Sequence, residues 1–103
     1  MKIHSFPADV MSFAKMNVFH WHISDSQSFP LKLSGHPELV KGAWHPEKYY
    51  SVEDVREIIQ YAKDRGIIVI PELDIPAHCE SWSAAHPELF YQYFPRWVIL
   101  FCD

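Results

Sequence analysis

Apolar and polar residues change their spacing several times along the chain, and each change predicts an element. From Pro7 to Met16, Val10, Met11, Phe13 and Ala14 recur at helical rather than alternating spacing, and proline suits the first turn. Asn17 to about His22 predicts a strand, in which Val18 and Phe19 lead into His20-Trp21-His22. Ser24 to Ser34 is polar, contains Pro30, and predicts a loop. Pro37 to Lys41 predicts one or two helical turns, closed by Gly42. After a loop from Ala43 to Tyr50, Ser51 opens the clearest helix. Ser51 and Asp54 have the spacing of a capping box. Val52, Val55, Ile58, Ile59 and Ala62 make one apolar stripe, while Glu53, Arg56, Glu57, Lys63 and Asp64 face water. Lys63 and Arg65 complement the helix dipole, and Gly66 suits the left-handed stop.

Ile67 to Ile70 is an unbroken β-branched run, which predicts a strand buried on both faces in a parallel sheet. Strand, helix and strand together predict a βαβ unit. Pro87 to about Tyr91 predicts a further helical segment. Trp97 to Phe101 is strand-like, with no neighbour apparent in the sequence. The tetrapeptide His-Pro-Glu-Leu occurs at His36–Leu39 and again at His86–Leu89. Each copy follows a strand and a polar loop, so both read as one way of starting a helix rather than as a true repeat.

Composition narrows the class. A chain of 103 residues, 49% hydrophobic and 21% charged, has the make-up of one small globular domain and not of a disordered tail. Its aromatic share of 16% serves a core first and ring-binding surfaces second. The net charge of −4, with no basic stripe, argues against nucleic acid as a partner. No apolar run reaches the ~20 residues of a membrane span, and no signal peptide is visible. Cys79 and Cys102 show neither metal-binding nor disulfide-rich spacing, which leaves the redox compartment open.

Functional loops of parallel α/β proteins lie at the carboxyl ends of the strands, and both strands here end in polar clusters. The first offers His20, His22, Asp25 and Gln27; the second offers Glu72, Asp74, His78 and Glu80. Two readings stand. One is a metal site in which His-x-His joins Asp74 and His78, a donor set suited to zinc. The other is acid–base chemistry, in which a carboxylate fixes and tunes an imidazole, with Asp25 and His78 as the expected pair. His20, between Phe19 and Trp21, also fits an ordinary hydrogen-bonded core histidine.

Three stretches carry a resemblance: NVFHWHISDSQSFP, GHPELVKGAW, and YSVEDVREIIQYAKDRGIIVIPELDIPAH. In order and spacing they resemble glycoside hydrolase family 20, the β-N-acetylhexosaminidases, from about Asp9 to Leu89. Residues 90–103 form an unmatched tail. The resemblance implies an α/β fold that is a fragment of a (β/α)8 TIM barrel, roughly strands 2 and 3 with their helices, since a whole barrel takes ~250 residues. The expected domain is accordingly one partial catalytic barrel over residues 1–103.

The resemblance also implies roles. Asp25 and His78 match active-site residues linked by hydrogen bonds to the family's catalytic glutamic acid, and Asp74 matches a further active-site acid. His20, His22 and Glu72 fall at pocket or supporting positions. In this family the substrate's own N-acetyl oxygen attacks the anomeric carbon, an Asp orients that amide, and the adjacent Glu protonates the leaving oxygen. No cofactor and no metal are implied. The substrates implied are glycans ending in β-linked N-acetylglucosamine or N-acetylgalactosamine, and the location is lysosomal or secreted. The sequence departs from the family at points that matter. It contains no Asp-Glu dipeptide, lacks the first-strand Arg, and has Ser26 and Ala77 where Asp and Gly are common. The chain is therefore expected to lack activity alone; the alternatives are a non-catalytic truncated interaction fragment, which could pair with a longer homologous subunit, and a metal-dependent hydrolase using the His-x-His motif.

Overall fold

The computed structural model describes residues 5–93 and 96–99, with side-chain surroundings for residues 7–90. Its frame is a strand–helix–strand unit: β1 (Val18–His22), α2 (Val52–Lys63) and β2 (Ile68–Glu72), preceded by α1 (Ser5–Phe13). β1 and β2 pair in parallel, with Val18 opposite Ile68 and His22 opposite Glu72. Backbone bonds extend the ladder beyond both ends, Ile68 N–H to Asn17 O at 2.9 Å and Ile23 N–H to Glu72 O at 3.0 Å. Two parallel strands joined through a helix make this frame an α/β unit.

α2 starts and stops for local reasons. Ser51 Oγ accepts the Asp54 N–H at 3.1 Å while Asp54 Oδ2 accepts the Ser51 N–H at 2.9 Å, the expected capping box. Asp shortens the reach of Glu by one carbon, yet both bonds close. At the other end Gly66 takes φ +69°, where a side chain would be strained. α1 both begins and ends earlier than expected, at Ser5 and Phe13, and Lys15 at φ +57° turns the chain before β1. Asp9 fastens α1 to α2 by accepting from Tyr61 Oη at 2.9 Å and Arg65 Nε at 2.7 Å.

The two faces of the sheet differ. Phe19 and Val69 pack with Met11 and Tyr61 around buried Ala8, Ala62 and Ile67. On the opposite face Val18, Ile68 and Ile70 are 45%, 64% and 49% exposed. β2 is thus not buried on both faces as its β-branched run predicts, because no described element covers the side away from α2. An apolar cleft of about 300 Å³ opens between Trp21, Val69 and Leu73 on one wall and Val55 and Ile59 on the other.

A second core lies beneath the loops. Fully buried Phe29, from the polar loop, packs with Ile23, Leu39 and Trp82. Leu39 belongs to a 3₁₀ turn, Pro37–Gly42, where helical turns are expected; Trp82 belongs to another, Glu80–Ala84. These turns touch closely: a Cβ on Gly42 would stand 2.4 Å from the Ser81 carbonyl oxygen, so this approach requires glycine. Pro87–Leu89 is a single 3₁₀ turn, and the expected helix stops there because Phe90–Tyr93 forms β3. β3 pairs antiparallel with β4 (Arg96–Ile99), so the strand-like tail does have a neighbour in the chain. The expected extension of that strand to Phe101, and Cys102, lie outside the described residues. Cys79 is a buried free thiol donating to Pro76 O at 3.2 Å. Among the described residues no helix is long and apolar enough to cross a membrane.

The exposed apolar face makes a direct prediction. Purified alone, the chain should self-associate and enhance the fluorescence of an apolar dye. Sedimentation and dye binding check this; a monodisperse monomer that leaves the dye dark and unfolds sharply and reversibly contradicts it.

Candidate functional site

Parallel pairing sends the chain out of β1 and β2 at the same end of the sheet, and hydroxyl groups then hold the two exits together. Ser24, completely buried, accepts the Asp74 N–H on Oγ at 2.6 Å. Ser81 Oγ donates to Asp25 O at 2.6 Å, and Ser26 Oγ donates to Glu80 Oε2 at 2.6 Å. A buried N–H or C=O without a partner costs about 1–3 kcal/mol, so these bonds set the height of each loop. None of the three serines was a candidate from the sequence. The only available signal was that short polar residues follow each strand directly.

On this rim Asp74 Oδ2 accepts from His78 Nδ1 at 2.6 Å and lies 3.6 Å from His22 Nε2. The rings of His22 and His78 meet edge to face at 5.3 Å. His78 holds φ +56° and its side chain is 52% exposed, so its ring stands out at the rim. The positive φ of this loop falls at His78 and not at Ala77.

The expected Asp25–His78 pair does not form. Asp25 Oδ1 accepts its neighbour's N–H, from Ser26, at 2.7 Å. The Gln27 amide, turned so that its nitrogen faces the carboxylate, donates to the same group at 3.0 and 3.2 Å. Asp25 still acts on His78 through its charge. Lower on the exposed face, His20 Nε2 and Glu72 Oε2 are hydrogen-bonded across the strands. His20 is thus paired on the open face rather than buried in a core.

The electrostatics follow from these contacts. The hydrogen bond to Asp74 raises the His78 pKa above 6.5, and the charges of Asp25 and Glu80 add to the effect. The same bond lowers Asp74 below 3.8. The Ser26 hydroxyl lowers Glu80, and burial raises the Cys79 thiol. An imidazole held at Nδ1 by a carboxylate keeps Nε2 for a third group, as donor or acceptor. Nε2 of His78 has no hydrogen-bond partner among the described residues.

As for a metal, His22, Asp74 and His78 bring three donor atoms within 4.8 Å of one another. His20 is not among them, so the His-x-His pair does not converge on one point. Of the donors expected for a metal, His22, Asp74 and His78 therefore converge and His20 does not.

The family model for "Glycosyl hydrolase family 20, catalytic domain" matches residues 3–99. The chain is 50% identical to beta-hexosaminidase 1 of Arabidopsis thaliana, over 84% of this chain and 17% of that protein. It is 53% identical to the chitooligosaccharidolytic beta-N-acetylglucosaminidase of Bombyx mori, over 73% of this chain and 13% of that protein. Among solved structures, the chitobiase of Flavobacterium johnsoniae overlies 84% of this chain and 13% of its own, with TM-score 0.76 and 38% identity. The chain thus spans about one sixth of the length of the curated relatives it matches.

The dyad predicts a pH response whose sign is fixed. His78 is raised, so its share of stability is full below the ordinary imidazole value of 6.5 and is lost as pH rises through the raised value. Asp74 is lowered, so its share is present above 3.8 and is lost as pH falls through the lowered value. Ring NMR should give His78 a midpoint above 6.5, and Asp74→Asn should bring it down. A midpoint unmoved by that substitution refutes the pairing.

Proposed function

Because the chain belongs to glycosyl hydrolase family 20, we propose that it supplies the second and third strands of a β-N-acetylhexosaminidase barrel, as one partial catalytic domain over residues 1–103. Its place is in a β-hexosaminidase-type glycoside hydrolase. The proposed substrates are glycans ending in β-linked N-acetylglucosamine or N-acetylgalactosamine, bound once the barrel is complete.

The observation that carries this reading is the Asp74–His78 hydrogen bond at 2.6 Å on the rim where the two strand ends meet. In the family's chemistry a glutamic acid protonates the departing oxygen while the substrate's N-acetyl oxygen attacks the anomeric carbon. We assign His78 the task of holding that acid through Nε2. Asp74 fixes the ring and favours its protonated form, and Asp25 adds a negative charge beside them. Asp25, Asp74 and His78 are therefore positioning residues. His20, His22 and Glu72 line the face that a complete barrel turns inward, and they support the pocket from below.

The 103-residue sequence has no Asp-Glu dipeptide, so it carries neither the acid nor the residue that orients the N-acetyl group. Loss of a general acid alone typically removes ~10² to 10⁴ in rate. The chain should therefore show no turnover of an aryl N-acetyl-β-glucosaminide above the rate in buffer. Joined to the remaining strands, the same residues should become measurable. Asp25→Asn or His78→Ala should lower kcat by up to ~10²-fold, the scale of a misplaced catalytic group, and change KM less. Hydrolysis by the chain alone that His78→Ala abolishes would mark the chain itself as the catalyst and sink this assignment.

A further inference from the structure

The two His-Pro-Glu-Leu tetrapeptides are built alike, and they meet. His36 has φ −139° and ψ 67°, His86 has φ −131° and ψ 68°, and each precedes a proline that opens a 3₁₀ turn. Within each copy the histidine Nδ1 faces the glutamate two residues on, at 3.1 Å for His36–Glu38 and 2.8 Å for His86–Glu88. The copies then dock: His86 Nε2 lies 2.9 Å from Glu38 Oε1, and the two imidazole rings stand 6.2 Å apart at 83°. One carboxylate oxygen thus faces a nitrogen from each histidine. Neither turn is loose. Leu39 is buried under the first, and the His86 N–H is tied to Trp82 O at 2.9 Å.

We propose that His36, Glu38 and His86 form a binding site for a zinc-class divalent cation, which clips the loop after β1 to the loop after β2. The donor atoms all lie within 4.8 Å of one another. A tetrahedral zinc with bonds near 2.0–2.2 Å separates its ligands by ~3.3 Å. The observed 2.9 and 3.1 Å therefore need to open by only a few tenths. Two imidazoles and one carboxylate suit zinc, cobalt or nickel, and not the hard oxygen-seeking calcium or magnesium. Glu88 occupies the supporting position: by taking the Nδ1–H of His86 it directs the Nε2 lone pair at the ion. The side chains are 67%, 33% and 28% exposed for His36, Glu38 and His86, so an ion enters from solvent and water completes its shell. The site shares no ligand with the rim cluster of His22, Asp74 and His78. It is a fastening distinct from the sugar-processing rim.

The test uses the whole chain freed of metal. Titration with Co²⁺, read by visible absorption, should give one equivalent with the intense bands of a tetrahedral N/O site, and Zn²⁺ should displace it. His86→Ala and Glu38→Gln should each weaken Co²⁺ binding by more than tenfold. Glu88→Gln should weaken it about tenfold, the lower end for a residue that orients a metal ligand. His78→Ala should leave binding unchanged. Circular dichroism checks that each variant keeps its fold, with His86→Gln replacing any that does not. X-ray absorption on the Zn²⁺-loaded unmutated chain should count two imidazoles whatever the variants do. The proposal is overturned if no binding is seen up to millimolar Co²⁺, which leaves a proton alone between Glu38 and His86. It is equally overturned if His78→Ala, and not His86→Ala, removes the site, or if the zinc shell holds fewer than two imidazoles.

Discussion

The bond from the Asp74 N–H to the buried hydroxyl of Ser24 is the interaction on which the candidate site depends. Backbone pairing of β1 with β2 brings two chain ends to one side of a sheet but does not set how the loops beyond them meet. The last ladder bond is Ile23 N–H to Glu72 O. One residue further, Ser24 continues the ladder with its side chain. That fixes where Asp74 leaves the sheet, and the turn that follows returns His78 to its carboxylate at 2.6 Å. An alanine at 24 would keep the strand and lose the register of the loop.

The carboxylates of the rim are divided by what they already hold. Asp25 is occupied by the Ser26 N–H and the Gln27 amide, both close in sequence. Asp74 has its own N–H fixed by Ser24 and turns its carboxylate to the histidines. Glu80 is held by Ser26. The imidazole of His78 is consequently tuned by one direct bond and two more distant charges, an arrangement suited to steadying a third group.

Much of the frame was legible because local chemistry decides it. The Ser51–Asp54 cap, the α2 stripe, the glycine stop at Gly66 and the parallel pairing all follow from residue spacing. The strand ends bearing His22, Asp25, Asp74 and His78 were legible for the same reason. What spacing does not carry is competition between neighbours. Asp25 was expected to reach His78, but Ser26 and Gln27 are nearer and hold it. The β-branched run of β2 encodes strand, yet burial of both faces requires neighbours, and Ile68 and Ile70 stay exposed. The repeated tetrapeptide signals the same turn twice, and its docking of His86 on Glu38 arises only from packing of distant segments. Likewise the polar loop hides its anchor, Phe29, whose burial depends on Leu39 and Trp82.

A side-chain bond between the two strand ends builds the rim, and one substitution removes it. In Ser24→Ala, amide exchange at Asp74 and the ring titration of His78 should be followed together by NMR. Without the Ser24 hydroxyl, Asp74 exchange should accelerate and the His78 midpoint should fall toward the ordinary imidazole value, while the amides of β1 and β2 stay protected. Unchanged exchange at Asp74 with an unchanged His78 midpoint would contradict it, because the rim would then be held by something other than Ser24.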